Sequence, residues 1–214
     1  MRRSTNVTDH PWLHIPPDDY EAHMNAVGQS AVLRELFAAA YAERWPTRLA
    51  VLGCTTGSDF QLIDPATTEV IVGVDVNGAY LERARQRAGA LGPRLRLIEG
   101  DVLLVDLPAE SFDLVHAALL FEYVEPGALF RLIHRWLSPD GLCSVVTQEP
   151  TPDAPAVSGT PYVSLQALDG HMSLRTADEI AIVAGHAHLR LRRARAVKLP
   201  SGKTLVHSTF DKGP

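Results

Sequence analysis

Cysteine is scarce in this chain: Cys54 and Cys143 are the only two in 214 residues. Two thiols cannot make the disulfide framework of a small secreted domain, and neither belongs to a run of Cys and His with zinc-ligand spacing. Reduced cysteines and no metal are the expectations. Long apolar runs are also missing. Stretches such as Ala117 to Phe121 fall far short of the ~20 residues that cross a bilayer, and Arg2 and Arg3 are not followed by the apolar core of a secretory signal. No membrane contact and a cytoplasmic location are therefore expected. A cationic excess is lacking too, with 20 Lys and Arg against 25 Asp and Glu, a net charge of −5 and a pI near 6.0. A nucleic-acid partner would have no global electrostatic drive.

What is present suits one large folded domain: 46% hydrophobic residues, 21% charged, and 15 Gly and 15 Pro as punctuation. The basic residues Arg190, Arg192, Arg193, Arg195, Lys198, Lys203 and Lys212 gather in the last 29 residues, opposed there only by Asp211. Most of them alternate with Leu and Ala, the pattern of an edge strand guarded against mispairing.

The apolar pattern switches between two periods along the chain. Leu33, Leu36, Phe37, Ala40 and Tyr41 mark one face of a helix that must end before Pro46. Arg48 to Gly53 reads as a strand, Asp59 to Ile63 as a brief helix, and Glu69 to Asp75 as a second strand. Asn77 can cap a helix carrying Leu81, Ala84, Ala88 and Leu91, ended by Gly92 and Pro93, before a strand at Leu95 to Ile98. Phe112 to Ala117 is a fourth strand. Pro126 opens a helix with Leu129, Leu132, Ile133 and Trp136, and an Asp140-Gly141 turn leads into a fifth strand at Leu142 to Thr147. Such alternation predicts an α/β fold of the Rossmann-like doubly wound kind, a mostly parallel sheet with helices on both faces. Thr176 and Glu179 then make a capping box, and two further strands flank Pro200-Ser201-Gly202 as an antiparallel hairpin.

Ligands of open parallel sheets bind beyond the carboxyl ends of the strands. Three loops meet there. Gly53-Cys54-Thr55-Thr56-Gly57-Ser58 offers close backbone approach and free N–H groups. Asp75, followed by Val76, ends the second strand, where a carboxylate can accept both hydroxyls of a ribose. Gly100-Asp101-Val102 follows the third strand, where the carboxylate can accept from an exocyclic amine and the Val102 N–H can reach a ring nitrogen of adenine. Asp75 could instead serve the next helix as a cap and Asp101 could merely shape a turn, but three consecutive loops agree on an adenosine-bearing ligand.

These segments resemble the class I S-adenosylmethionine-dependent methyltransferases, in particular the small bacterial members that act on small molecules. AVLGCTTGSDF is similar to that family's first motif, VIVGVDVN to its ribose motif, LRLIEGDV to its adenine motif, and SFDLVHAALLFEYVEPGALFRLIHRWLSPDGLCSVV to its fourth-to-fifth-strand segment. The resemblance implies S-adenosylmethionine as cofactor, S-adenosylhomocysteine as product, and a reversed seventh strand beside the fifth. It also implies that Gly53 to Gly57 face the methionine portion, Asp75 the ribose, Asp101 and Val102 the adenine, and Ala117 to Leu119 the wall near the sulfonium. Val51 stands where the family usually has an acid, and Thr55 replaces its usual middle glycine.

Methyl transfer from a sulfonium needs alignment more than proton chemistry. Candidate catalytic groups are His116, Glu122 and Tyr20. His116 has an alternative as a hydrogen-bonded core histidine, and Glu122 as a helix cap. The segment Trp12 to Met24 resembles the family's N-terminal lids, so Tyr20 is placed near the cofactor carboxylate and Met24 near adenine or the acceptor, with His23, His171 and Met172 around them. Residues 1–47 are then a cap with the first helix and 48–214 the cofactor domain, within which 149–173 forms a substrate lid. The acceptor is expected to be a small molecule. The sequence does not fix the oligomeric state and leaves a homodimer open. Two rivals remain: a catalytically degenerate nucleoside-binding regulator, and an NAD-dependent oxidoreductase, which the absence of a Tyr-x-x-x-Lys pair and of G-x-G-x-x-G disfavours.

Overall fold

The computed structural model of the chain describes residues 10–152 and 155–213. The first residues of the expected cap, Arg2 and Arg3 among them, and two positions in the 149–173 connection lie outside the described residues. Five parallel strands, β1 (Arg48–Leu52), β2 (Val70–Asp75), β3 (Leu95–Glu99), β4 (Phe112–Ala118) and β5 (Leu137–Gln148), are joined by a hairpin of β6 (Leu189–Lys198) and β7 (Thr204–Lys212). Their order is β3-β2-β1-β4-β5-β7-β6. β7 runs antiparallel between β5 and β6, the reversed strand that the resemblance implied.

Period-two alternation divides the core between the two faces of the sheet. Ala50, Leu52, Val72, Val74, Val115, Ala117, Cys143 and Val145 meet α4 (Pro126–Trp136) and α5 (Ala177–His186). Leu49, Val51, Ile71, Leu114 and Leu142 meet α2 (Gln29–Arg44) and α3 (Gly78–Arg87) on the other side. Each helix starts where its sequence allows. Asn77 accepts from the Ala79 and Tyr80 amides, Glu125 from Gly127 and Ala128, and Thr176 with Glu179 closes the capping box. Glu125, not Glu122, caps α4.

Two local expectations change. The helix after Asn77 stops at Arg87 and continues only as a 3-10 segment through Gly92, whose φ of +54° lies outside helical space. The expected turn at Asp140-Gly141 is part of β5, as a bulge opposite Phe112 and Leu114. A Cβ on Gly141 would meet the Phe112 carbonyl oxygen at 2.8 Å, so only glycine lets the two strands close up. β6 forms the exposed basic edge, with Arg190 paired to Asp211 and Arg193 to Glu43. No helix among the described residues is long and apolar enough to cross a membrane.

Candidate functional site

β1 and β2 are adjacent and parallel, so their carboxyl ends bring two loops side by side. Gly53 and Gly57 turn the first loop with φ of +65° and +70°. The Cys54 amide donates to the Val74 carbonyl at 3.0 Å, and the Thr55 amide donates to Asp75 Oδ2 at 2.9 Å. Asp75 Oδ1 accepts from the Asn77 amide at 2.9 Å. Its main-chain carbonyl accepts from the Gly100 amide at 2.9 Å, which draws in the loop after β3. Asp75 thus joins all three loops. Burial pushes its carboxyl up to about 6, against the opposing pull of the Asn77 and Thr55 amides, so it is mostly ionised at pH 7. Asp101 accepts from the Leu103 amide at 2.8 Å through Oδ1.

Above these tips lies a cavity of about 530 Å³, inside the range of small-molecule sites. Gly53 to Thr56, Asp75, Val76, Gly100, Asp101 and Val102 all line it. Its cover is α1 (Pro17–Ala26), which supplies Tyr20, His23 and Met24, with Trp12 from the turn before it. Trp12 meets Tyr123, Tyr20 and Tyr80 edge-on at centroid distances of 5.2, 5.9 and 6.5 Å. Asn77 Nδ2 donates to the Trp12 carbonyl at 2.8 Å, and Arg83–Asp18 and Arg87–Glu21 ion pairs tie the cover to α3. Burial pushes the Tyr20 phenol far up, so it stays protonated, with its hydroxyl against Thr55.

The half of the cavity beyond β4 is polar. His116 pairs in register with Val51 and lies 1% exposed, its ring edge-on to Phe37. Its Nδ1 is 2.9 Å from Ser144 Oγ, which is 2.8 Å from His207 Nε2, so β4, β5 and β7 each contribute one group to a buried chain. His116 Nε2 has no partner among the described residues. Burial lowers His116 to about 3, helped by neighbouring His207, and His207 to about 4, helped by Arg193 and Arg195. Both imidazoles are neutral at pH 7. Nearby, Gln148 Nε2 and Lys203 Nζ converge on the Ala156 carbonyl at 3.1 and 2.6 Å, and His23 Nδ1 is 2.9 Å from Thr160 Oγ1.

Several expected site residues stand elsewhere. Ala117 is fully buried under α4, because the pleat that aims His116 and Ala118 to one side aims Ala117 to the other; Ala118, Leu119 and Leu120 form the wall instead. Gly57 turns away from the cavity and packs on Phe60 and Ala84. Glu122 is buried behind the wall, where Oε1 accepts the Gln148 amide at 2.8 Å and burial lifts the acid to about 7. It does not reach the cavity. Met172 lines it, while His171 is exposed outside it. Lys203, read as part of the basic edge, is 3% exposed and lines the cavity.

Sequence reasoning passed over Arg34, Ser144, Gln148 and His207. Ser144 did leave a trace, as a polar residue inside the apolar run of β5, whereas His207 stands among the Thr, Ser and Asp of β7 and left none. Gln148 ends an apolar strand and Arg34 sits in a helix, positions that carry no local mark. Among the described residues no three His, Cys, Asp or Glu side chains are grouped so as to hold a metal ion.

With this geometry in place, comparison with known proteins is specific. Residues 50–141 match the family model described as a methyltransferase domain. Carboxy-S-adenosyl-L-methionine synthase of Wolinella succinogenes is 32% identical over 95 residues, 42% of this chain and 40% of that protein. The chain thus spans well under half the length of that curated relative. Among solved structures, the Burkholderia thailandensis 1,6-didemethyltoxoflavin-N1-methyltransferase, with bound 1,6-didemethyltoxoflavin and S-adenosylhomocysteine, superposes with a TM-score of 0.69 at 18% identity, covering 100% of this chain and 93% of that one. A geranyl diphosphate methyltransferase in complex with S-adenosylmethionine gives 0.70 at 13% identity, with 86% of each chain covered. The fold is that of the S-adenosylmethionine-dependent methyltransferases.

Proposed function

From the methyltransferase domain that the chain carries at residues 50–141, we propose that it transfers a methyl group from S-adenosylmethionine to a small-molecule acceptor. The observation that carries this reading is the joint at Asp75, which binds the β1 loop through its carboxylate and the β3 loop through its carbonyl, with all three loops on one cavity wall. The residues fit the cofactor. Each carboxylate oxygen has a second lone pair, so Asp75 can take the two ribose hydroxyls while keeping both backbone donors. Asp101 and the Val102 amide serve the adenine, Cys54 to Thr56 the amino-acid end, and Tyr20 donates to its carboxylate. Met24 packs over the cofactor from α1.

When bound, the cofactor supplies a methyl group already activated on a sulfonium. The protein's part is to align the acceptor and exclude water. Trp12, Tyr20 and Tyr123 roof the cavity, and Ala156 to Ser158 with Leu165, Leu168 and Met172 close it as a lid over the acceptor. His116 acts there by orientation: it lines the acceptor half, its Nε2 has no partner among the described residues, and Ser144 fixes the ring. An imidazole held at about 3 is too weak a base for pH 7. The nucleophile therefore arrives with a lone pair available, and Glu122 supports Gln148 without touching the acceptor.

A cavity of about 530 Å³ and a net charge of −5 favour a small molecule over nucleic acid, and the two buried free thiols are consistent with a cytoplasmic setting. Calorimetry tests the reading. Binding of S-adenosylmethionine and S-adenosylhomocysteine, but not NAD, is expected; binding of NAD alone, or of none of the three, overturns it.

A further inference from the structure

Lys203 poses an electrostatic problem that the cofactor does not solve. It precedes β7 by one residue and closes the hairpin turn through its carbonyl, which accepts from Leu199. At 3% exposure its ammonium is withdrawn from water, and burial lowers its pKa. It has three donors, and the Ala156 carbonyl takes one. Among the described residues no carboxylate pairs with it. The acids on the cavity wall are engaged elsewhere: Glu21 with Arg87, Asp59 beside Arg34, Asp75 with two amides, and Asp101 with Leu103. Glu122, behind the wall, is committed to the Gln148 amide.

Position rules out the cofactor as its counter-ion. Three strand spacings separate β1 from β7 in the sheet order, on the order of 14 Å at ~4.8 Å each. The amino-acid end of the cofactor, served by Cys54 to Thr56, would lie over the β1 loop, on the far side of that span. Beside Lys203 stand the Gln148 carboxamide, whose Nε2 donates to the same Ala156 carbonyl, and His23, close enough for the Lys203 charge to lower its pKa further. A buried cation with two donors open among the described residues is costly unless an anion meets it.

We propose that Lys203, with Gln148 and His23 beside it, is an oxyanion subsite that holds a carboxylate or phosphate group of the methyl acceptor. This rests on the methyltransferase reading for the word acceptor, while the subsite itself stands on the wall's own geometry. Acceptors of this enzyme are therefore small molecules that carry an anionic group, anchored on the β5–β7 side so that the reacting atom faces the wall at Ala118 to Leu120.

Calorimetry on protein saturated with S-adenosylhomocysteine provides the test, with benzoate, phenylacetate and phenyl phosphate as probes against benzamide and phenylacetamide. At least one oxyanion should bind tenfold or more tightly than the amides, benzoate against phenyl phosphate telling carboxylate from phosphate. Lys203→Gln keeps a donor for the Ala156 carbonyl but removes the charge, and should bring that preference within twofold while S-adenosylhomocysteine affinity stays put. Lys203→Arg should retain it. No oxyanion preference in the wild type, or the same preference in Lys203→Gln, overturns the subsite. Failure of S-adenosylhomocysteine to bind would count against the methyltransferase reading alone, and the probes titrated onto the unliganded protein would still decide the subsite.

Discussion

The Thr55 amide donates to Asp75 Oδ2 across 2.9 Å, so the loop after β1 hangs on the carboxylate that ends β2. The usual acid of strand one is replaced here by Val51, which packs in the apolar layer beneath α2. On the proposed reading Asp75 has two duties, shaping the first loop and receiving the ligand, and the consequences can be measured.

Asp75→Ala should weaken S-adenosylhomocysteine binding by ~2–3 kcal/mol, towards the upper end for a lost charge-assisted hydrogen bond, because the Thr55 amide also loses its partner. Asp101→Ala removes a contact at one loop only and should cost ~1–2 kcal/mol. Calorimetry at pH 7.5 measures both. Unchanged affinity in the two variants would remove the ribose and adenine assignments.

Affinity should also follow the charge on Asp75. Its carboxyl sits at about 6 in the free protein, raised from the ordinary value, so acidification through pH 6 adds a proton and weakens an acceptor of hydroxyl hydrogens. Binding is expected to fall between pH 7 and 5 in the wild type and to stay flat in Asp75→Asn.

Thr55 occupies a left-handed conformation, φ +47°, that a β-branched residue adopts only under strain. Thr55→Gly should relieve it and raise thermal stability by ~1 kcal/mol. At Gly57 the opposite holds. A Cβ there would lie 2.7 Å from a Phe60 ring carbon and 2.8 Å from Ala84 Cβ, with φ at +70°. Gly57→Ala should destabilise by ~2–4 kcal/mol, an overpacking term added to a backbone term. Chemical denaturation distinguishes the two directions.

His116 and His207 give a pH signature to the fold. Their folded pKa values are depressed to about 3 and about 4, below the ordinary 6.5, so the unfolded chain binds more protons in between. Stability from these groups is complete above pH 6.5 and drains away as pH falls towards 4. His207→Gln, and His116→Gln likewise, should flatten that loss relative to the wild type. A denaturation midpoint that falls equally steeply in the variants would show that acids held low by partners, such as Asp211 beside Arg190, dominate instead.

The sheet, its closing hairpin and the ligand edge were readable because they depend on local patterns: apolar period, caps at Asn77 and Thr176, and an acid after each of two strands; the reversed strand beside β5 was implied only by the family resemblance. The meeting of three loops at Asp75 belongs to this class, since consecutive parallel strands place consecutive loops side by side. Tyr20, His23 and Met24 were reached through the resemblance of Trp12 to Met24 to the family's N-terminal lids, with Trp12 and Tyr20 needing a surface to cover. Ala117 was misjudged by one residue in a pleat, and one residue is enough to exchange cavity for core.

What the sequence decided alone was therefore the frame and the adenosine edge, where each recognition element is one loop long and its partner is the neighbour in sequence order. The acceptor chamber was decided only by tertiary structure. His23, His116, Gln148 and Lys203 come from α1, β4, β5 and the hairpin turn, and they meet because β7 inserts between β5 and β6. Long-range strand order, with the desolvation that follows from it, turned a lysine of an apparently exposed turn into a buried cation, and no local pattern encodes that environment.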